Sequence, residues 1–102
     1  MQRFAYRFSI AAGSEDRYRA AHDTMAPALR RLYSEAGLRN YTLFLDGTDV
    51  FAFLESERDP AAVLAAVGAD PLEVEFNRGL EGVIVDLDAA APAPMREVWH
   101  LD

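Results

Sequence analysis

The sequence predicts an α+β fold in which helices cover one face of an antiparallel sheet. Three observations carry that expectation. An aromatic run near the N-terminus alternates with period two, the segment after it has helical periodicity, and two β-rich runs further on flank a tight-turn signal.

The first element spans Arg3 to Ile10. Phe4, Tyr6, Phe8 and Ile10 share one face while Arg3, Arg7 and Ser9 share the other, the pattern of a half-buried strand. Ala11 to Gly13 connect it to Ser14–Gly37, which reads as one long amphipathic helix. Ser14 is a good N-cap, Glu15 and Asp16 place negative charge near the positive end of the helix dipole, and Gly37 can take the left-handed conformation past the last turn. Tyr18, His22, Met25, Leu29, Leu32 and Ala36 fall on one stripe. Pro27 lies inside this helix and forbids the hydrogen bond to the Asp23 carbonyl, so a kink or loosened turn is expected just beyond His22.

Tyr41 to Leu45 and Val50 to Glu55 are the two β-rich runs, and Asp46-Gly47-Thr48-Asp49 between them has the composition of a hairpin turn. Asp59-Pro60 opens a short helix that stops at Gly68, and Asp70-Pro71 repeats the start signal for another, with Leu72, Phe76 and Leu80 on one side. Val83 to Leu87 fits a last turn, a strand or an extended segment equally well. Ala89 to Pro94 reads as an extended linker and Met95 to Leu101 as a closing strand. Strand, helix, hairpin, broken helical segment and strand in that order make the β-α-β-β-α-β plan of the ferredoxin-like fold. The strands carry large side chains on both faces, since Phe44, Phe51 and Phe53 are out of phase with Tyr41, Leu43, Leu45, Val50, Ala52 and Leu54. A small domain does not leave a second apolar sheet face in water. That face lines a ligand cavity or packs on a second copy, and a two-fold homodimer is predicted.

Length and charge bound the function. Residues 1–102 suffice for one domain and leave little for a second module. The 17 acidic against 10 basic residues give a net charge of −7 with no basic cluster, which argues against nucleic acid and anionic membranes as partners. All ten basic residues are Arg, and there is no cysteine, so disulfides and thiolate metal sites are excluded and a reducing cytoplasm fits. The start is too short and too charged for a signal peptide, and no run approaches membrane-spanning length.

The chemistry on offer is narrow. No glycine-rich nucleotide loop and no nucleophile elbow occurs, and His22 and His100 have no carboxylate at metal-ligand spacing, so neither metal nor cofactor is expected. What remains is acid–base chemistry on a small ligand, for which His22 is the best candidate because an imidazole gives and takes protons near neutrality. Periodicity alone reads His22 as a core histidine bonded to a backbone group. Tyr18 and Tyr41 likewise read as packing residues whose hydroxyls reach the surface. Trp99 reads as core or dimer interface, and Glu75, Asn77 and Arg78 as a solvated helix face.

Tyr18-x-x-x-His22, Pro27-x-Leu29, Asn40-Tyr41 leading to Leu45-Asp46, and Glu97-Val98-Trp99-x-Leu101 follow one another in an order and spacing that resemble the L-rhamnose mutarotases, over essentially the whole chain. The resemblance implies a dimeric ferredoxin-like α+β barrel. It implies an isomerase that interconverts the α and β anomers of L-rhamnose or a related deoxy-hexose, with His22 as proton donor and Tyr18 and Tyr41 on the sugar. The family usually carries a Trp-Trp pair in the helix before the linker, and Glu75 and Phe76 correspond best to it here. Phe76 keeps an aromatic ring but lacks the indole donor, and Glu75 replaces a bulky donor by an acceptor, so both are expected to bind substrate and to alter its preference.

Ring opening needs a proton onto the ring oxygen and one removed from the anomeric hydroxyl. His22 is the expected acid, with a tyrosine hydroxyl, a water or Glu75 handling the other proton. Two alternatives stand beside this reading: a non-catalytic dimer that binds a small ligand in the same cavity, and a monooxygenase-like α+β barrel.

Overall fold

A computed structural model describes residues 1–102. Its elements are β1 (Gln2–Ser9), α1 (Glu15–Asp23), α2 (Pro27–Glu35), β2 (Leu38–Asp46), β3 (Asp49–Ser56), α3 (Pro60–Gly68) and α4 (Pro71–Arg78). The strands form one antiparallel sheet in the order β1-β3-β2. The core lies between the sheet and the helices, where Tyr6, Phe8, Val50, Ala52 and Leu54 meet Val63, Leu64 and Val67 of α3, with Leu80 and Val83 beyond α4. The α+β plan with helices over one sheet face is the one expected.

The long helix is two helices. Pro27 takes the first position of α2 rather than kinking one continuous element. Its ring pushes the preceding residue out of the helical region, and Ala26 is accordingly extended, with ψ 136°. The apolar stripe survives the break: Tyr18 and Leu29 are buried, and Leu32 and Ala36 pack on the core. Ser14 does not cap α1 as expected, because its hydroxyl donates back to the Ala11 carbonyl. Gly37 closes α2 at φ 95°, a conformation that a side chain would strain.

Asp46 pairs with Asp49, leaving Gly47-Thr48 as a two-residue hairpin loop with Gly47 at φ 61°. Further back in β2 an irregularity was not legible. The pairing slips by one residue between Arg39 and Thr42, and Asn40 sits at φ 50°, where asparagine is tolerated better than most side chains. Leu38 lies opposite Ser56 and Leu43 opposite Ala52, both on the core side. The extra residue therefore shifts the phase of β2, and Tyr41 joins the core face.

The C-terminus departs from expectation. Met95 to Leu101 forms no strand. It runs along the free edge of β1, held by Met95 N–H donating to the Ala5 carbonyl at 2.7 Å and by Arg3 pairing with Glu97 at 2.5 Å. Val98, Trp99 and Leu101 are 74% exposed or more, so Trp99 is not core. The alternation in the sequence is real, but nothing in a single chain covers either side of this segment. Val83 to Val85 take the other end of the same edge through an Ile10–Ile84 bridge and a bond from Val85 N–H to the Ser9 carbonyl. Phe44 is also exposed on the outer sheet face, next to the half-buried Phe51 and Phe53.

Candidate active site

The helices and the sheet do not close fully on one another. Between them lies a half-open cavity of about 390 Å³, a size suited to a small ligand. Its floor is Tyr6 and Phe8 of β1 with Tyr41 and Leu43 of β2. Helix α1 contributes Tyr18 and His22 on one side, and α2 contributes Tyr33. Glu73, Phe76 and Asn77 come from α4.

His22 is fixed through one of its two nitrogens. Nδ1 lies 2.8 Å from the Tyr18 carbonyl, one turn back on α1. A carbonyl only accepts, so Nδ1 carries the hydrogen and the neutral ring keeps its lone pair on Nε2. The imidazole packs against the rings of Tyr18, at 4.6 Å between centroids, and Phe76, at 5.2 Å in an edge-on contact. Burial holds its pKa below the ordinary histidine value, with the Tyr18 carbonyl and Asp23 partly offsetting it. The bond to a backbone group and a place in the cavity wall are thus both true of His22.

Another part of the wall is polar. The Tyr6 and Tyr41 hydroxyls share a hydrogen bond, the Tyr33 ring lies 5.9 Å from that of Tyr41, and Tyr33 Oη donates to Glu73 Oε2 at 2.5 Å. Burial raises the pKa of Tyr6, Tyr18, Tyr33 and Tyr41 alike. These hydroxyls stay protonated at neutral pH and serve as hydrogen-bonding groups, not as phenolate bases. Burial also pushes the Glu73 carboxyl up, against Tyr33 and Asn77, which favour its charged form. No three His, Asp or Glu side chains gather at metal-binding spacing.

Four of the five residues singled out in the sequence, Tyr18, His22, Tyr41 and Phe76, meet in this cavity. Glu75 does not. It is exposed and its carboxylate accepts from Arg78 Nη1 at 2.8 Å outside the cavity. At about 100° per residue, Phe76, Asn77 and Leu80 share one side of the helix and Glu75 points to the opposite one. Glu73, three residues before Phe76, shares the side of Phe76. Leu72, expected on one side with Phe76 and Leu80, falls at the edge of this face and is exposed; the inward face of α4 is Glu73, Phe76 and Asn77, with Leu80 buried just past its end. Sequence reasoning missed Glu73, Tyr33 and Tyr6. The spacing of Glu73, Phe76 and Leu80 was the signal that identifies the first.

Residues 3–101 match the family profile described as L-rhamnose mutarotase. The chain belongs to the L-rhamnose mutarotase family. The L-rhamnose mutarotase of Sinorhizobium fredii is 39% identical over 103 residues, covering 99% of each chain. That of Brucella anthropi is 32% identical over 102 residues, covering 98% of this chain and 96% of the relative. Among solved structures, an L-rhamnose mutarotase from Formosa agariphila superposes over the full length of both chains with a TM-score of 0.80 at 20% identity. The tetracenomycin F2 cyclase of Streptomyces glaucescens, a type-II polyketide cyclase, does so with a TM-score of 0.71 at 19% identity. The fold is therefore shared with a protein of another chemistry, and membership of the mutarotase family rests on sequence.

Proposed function

We propose that this protein is an L-rhamnose mutarotase that interconverts the α and β anomers of the free sugar, acting through His22 without a cofactor, with residues 1–102 as one catalytic domain. The observation that carries the reading is the half-open, tyrosine-floored cavity with one histidine on its wall, in a chain of this family. Tyr18, Tyr41 and Phe76 line the space around that histidine and are the substrate contacts of this reading. Saturation-transfer NMR of anomer exchange across a panel of free sugars tests it. L-rhamnose is expected to exchange faster with the protein present, and no acceleration of any sugar would leave a non-catalytic binding domain.

The state of His22 sets the order of proton transfers. With its pKa held low, the resting imidazole is neutral, and Nε2 takes the anomeric O1 proton. The C1–O5 bond breaks as C1=O1 forms, and O5 takes a proton from water. After rotation about C1–C2, O5 attacks the other carbonyl face and loses its proton to water, while the imidazolium returns a proton to O1. The proton-donor role implied by the resemblance is then the second half of the cycle. Glu75, which faces away from the cavity, has no part in it.

A pH profile follows from this order. Protonated His22 cannot accept, so the exchange rate should fall as pH is lowered through a pKa below about 6.5. It should stay level between neutral pH and about 9, because burial moves the tyrosines upward. A rate that rose on acidification from pH 7 to 5 would contradict neutral His22 as the base.

The same reading includes a homodimer. Phe44 on the outer sheet face and Val98, Trp99 and Leu101 on the tail leave apolar surface that a second copy would cover. Sedimentation at micromolar concentration should show twice the chain mass, and a monomer there would count against it. No helix is long and apolar enough to cross a membrane. A cytoplasmic location belongs to the proposal, since a chain without cysteine is indifferent to a reducing environment.

A further inference from the structure

The cavity has a second pole that the proton transfers leave unused. Tyr33 and Glu73 come from different helices, yet their side chains meet at 2.5 Å on the cavity wall. Burying a carboxyl in a largely apolar pocket is costly. A tie between α2 and α4 is made at lower cost by two apolar side chains, as elsewhere in this core. Tyr33 supplies one hydrogen to one carboxyl oxygen, and a carboxylate can accept about four. Acceptor capacity therefore remains on a residue that lines the ligand space.

The position of this pole relative to His22 says what it can reach. Phe76 touches the imidazole at 5.2 Å between ring centroids. Glu73 lies on the same face of α4, one turn or about 5 Å further along. The carboxyl and the imidazole thus line one cavity of about 390 Å³, with the Phe76 ring against the imidazole and Glu73 a turn away from that ring, so a pyranose held at His22 by one end turns its other end to the rest of the wall. If one end is C1 and O5, the opposite ring edge is C3–C4. Two neighbouring hydroxyls there present a pair of donors, and a carboxylate presents a matching pair of acceptors.

Taking the mutarotase reading as its ground, we propose that Glu73, oriented by Tyr33, is a specificity-determining residue that accepts hydrogen bonds from the 3- and 4-hydroxyls of the bound sugar. Tyr33 is then a positioning residue that aims the carboxylate. The neighbouring Tyr6–Tyr41 pair extends the polar wall toward the floor. A free sugar lacking donors on the C3–C4 edge would fit the cavity but leave the carboxylate's remaining acceptor positions unmet, which selects against it.

The test is a cycle between residue and substrate, with anomer exchange of L-rhamnose and of its 4-deoxy analogue measured by NMR. In the unaltered protein, loss of the 4-hydroxyl should raise KM about 10- to 100-fold, the range of a hydrogen bond to a charged group. The rate at saturation should change little, because the contact is made in ground and transition states alike. In Glu73→Ala the KM for L-rhamnose should rise by a similar factor, and the 4-deoxy analogue should then cost nothing further. Glu73→Gln, which keeps the shape and an acceptor for Tyr33, guards against misfolding and should fall between the two.

Three results would overturn the assignment. An equal deoxy penalty with and without the carboxylate would remove Glu73 from the C3–C4 edge and leave the mutarotase reading standing. A collapse of kcat with unchanged KM in Glu73→Gln would make Glu73 a proton carrier instead. Failure of the unaltered protein to accelerate any sugar would bring down the mutarotase reading and this assignment together.

Discussion

Replacing His22 by alanine is expected to lower the anomer-exchange rate about 100- to 10,000-fold, the usual worth of a positioned acid–base group. His22 contributes the one imidazole in the cavity wall, with its lone pair on Nε2: its Nδ1–H is engaged by the Tyr18 carbonyl, and burial disfavours the charged ring. The tyrosines around it are held protonated. None of them can therefore take over the proton, and the residual rate should approach that of the sugar in buffer. The fold should survive, since the imidazole stands at the cavity wall and the Tyr18 carbonyl keeps its place in the helical ladder of α1. Exchange spectroscopy on His22→Ala with a melting curve alongside checks both halves. A folded variant at full rate would remove His22 from the chemistry.

The largest loss of stability is expected at Leu54→Ala. Leu54 is fully buried on the core face of the central strand, opposite Phe4 of β1. Emptying such a site costs about 2–5 kcal/mol, from lost transfer free energy and the cavity left behind. A domain of this size has roughly 5–15 kcal/mol in total. With each kcal/mol worth about 4–8 °C, the melting temperature should drop by about 8 to 40 °C. Val74→Ala, on the 43% exposed side of α4, serves as the control and should stay within about 0.5 kcal/mol. Denaturant titration of both variants separates them, and equal midpoints would mean that Leu54 is not in the core as described.

Local chemistry was legible and distant pairing was not. The hairpin, the two Asp-Pro helix starts and the stop at Gly37 depend on a few adjacent residues with restricted backbones, and each appears where expected. The closing strand failed because its alternation says nothing about what lies beside it: the run from Met95 has a strand's pattern but meets only one edge of β1. The break before Pro27 was half legible, since proline announces the lost hydrogen bond but not whether the helix bends or restarts.

The candidate site shows the same division. His22 and Tyr18 were found because four-residue spacing on a helix is a spatial statement. Glu75 was placed by correspondence with a relative's tryptophan, and a slip of position on a helix turns a side chain out of the cavity. Glu73 and Tyr33 join only when α4 folds across α2, a meeting that no spacing within the chain records.

The slip in pairing at Asn40 has a consequence for how this chain can change. Tyr41 faces the cavity because β2 holds one residue more than its partner strand between Leu38 and Leu43. Deleting one residue from Arg39–Asn40 would leave Tyr41 two positions after Leu38 and opposite Leu54, so regular pairing would keep it on the core face beside Tyr6. Regular pairing forced on the full-length strand would instead turn Tyr41 to the outer face. The slip is thus the one place in β2 where a residue can be lost without moving the hydroxyl pair on the cavity floor, and a loss anywhere between Tyr41 and Asp46 would have no such cushion.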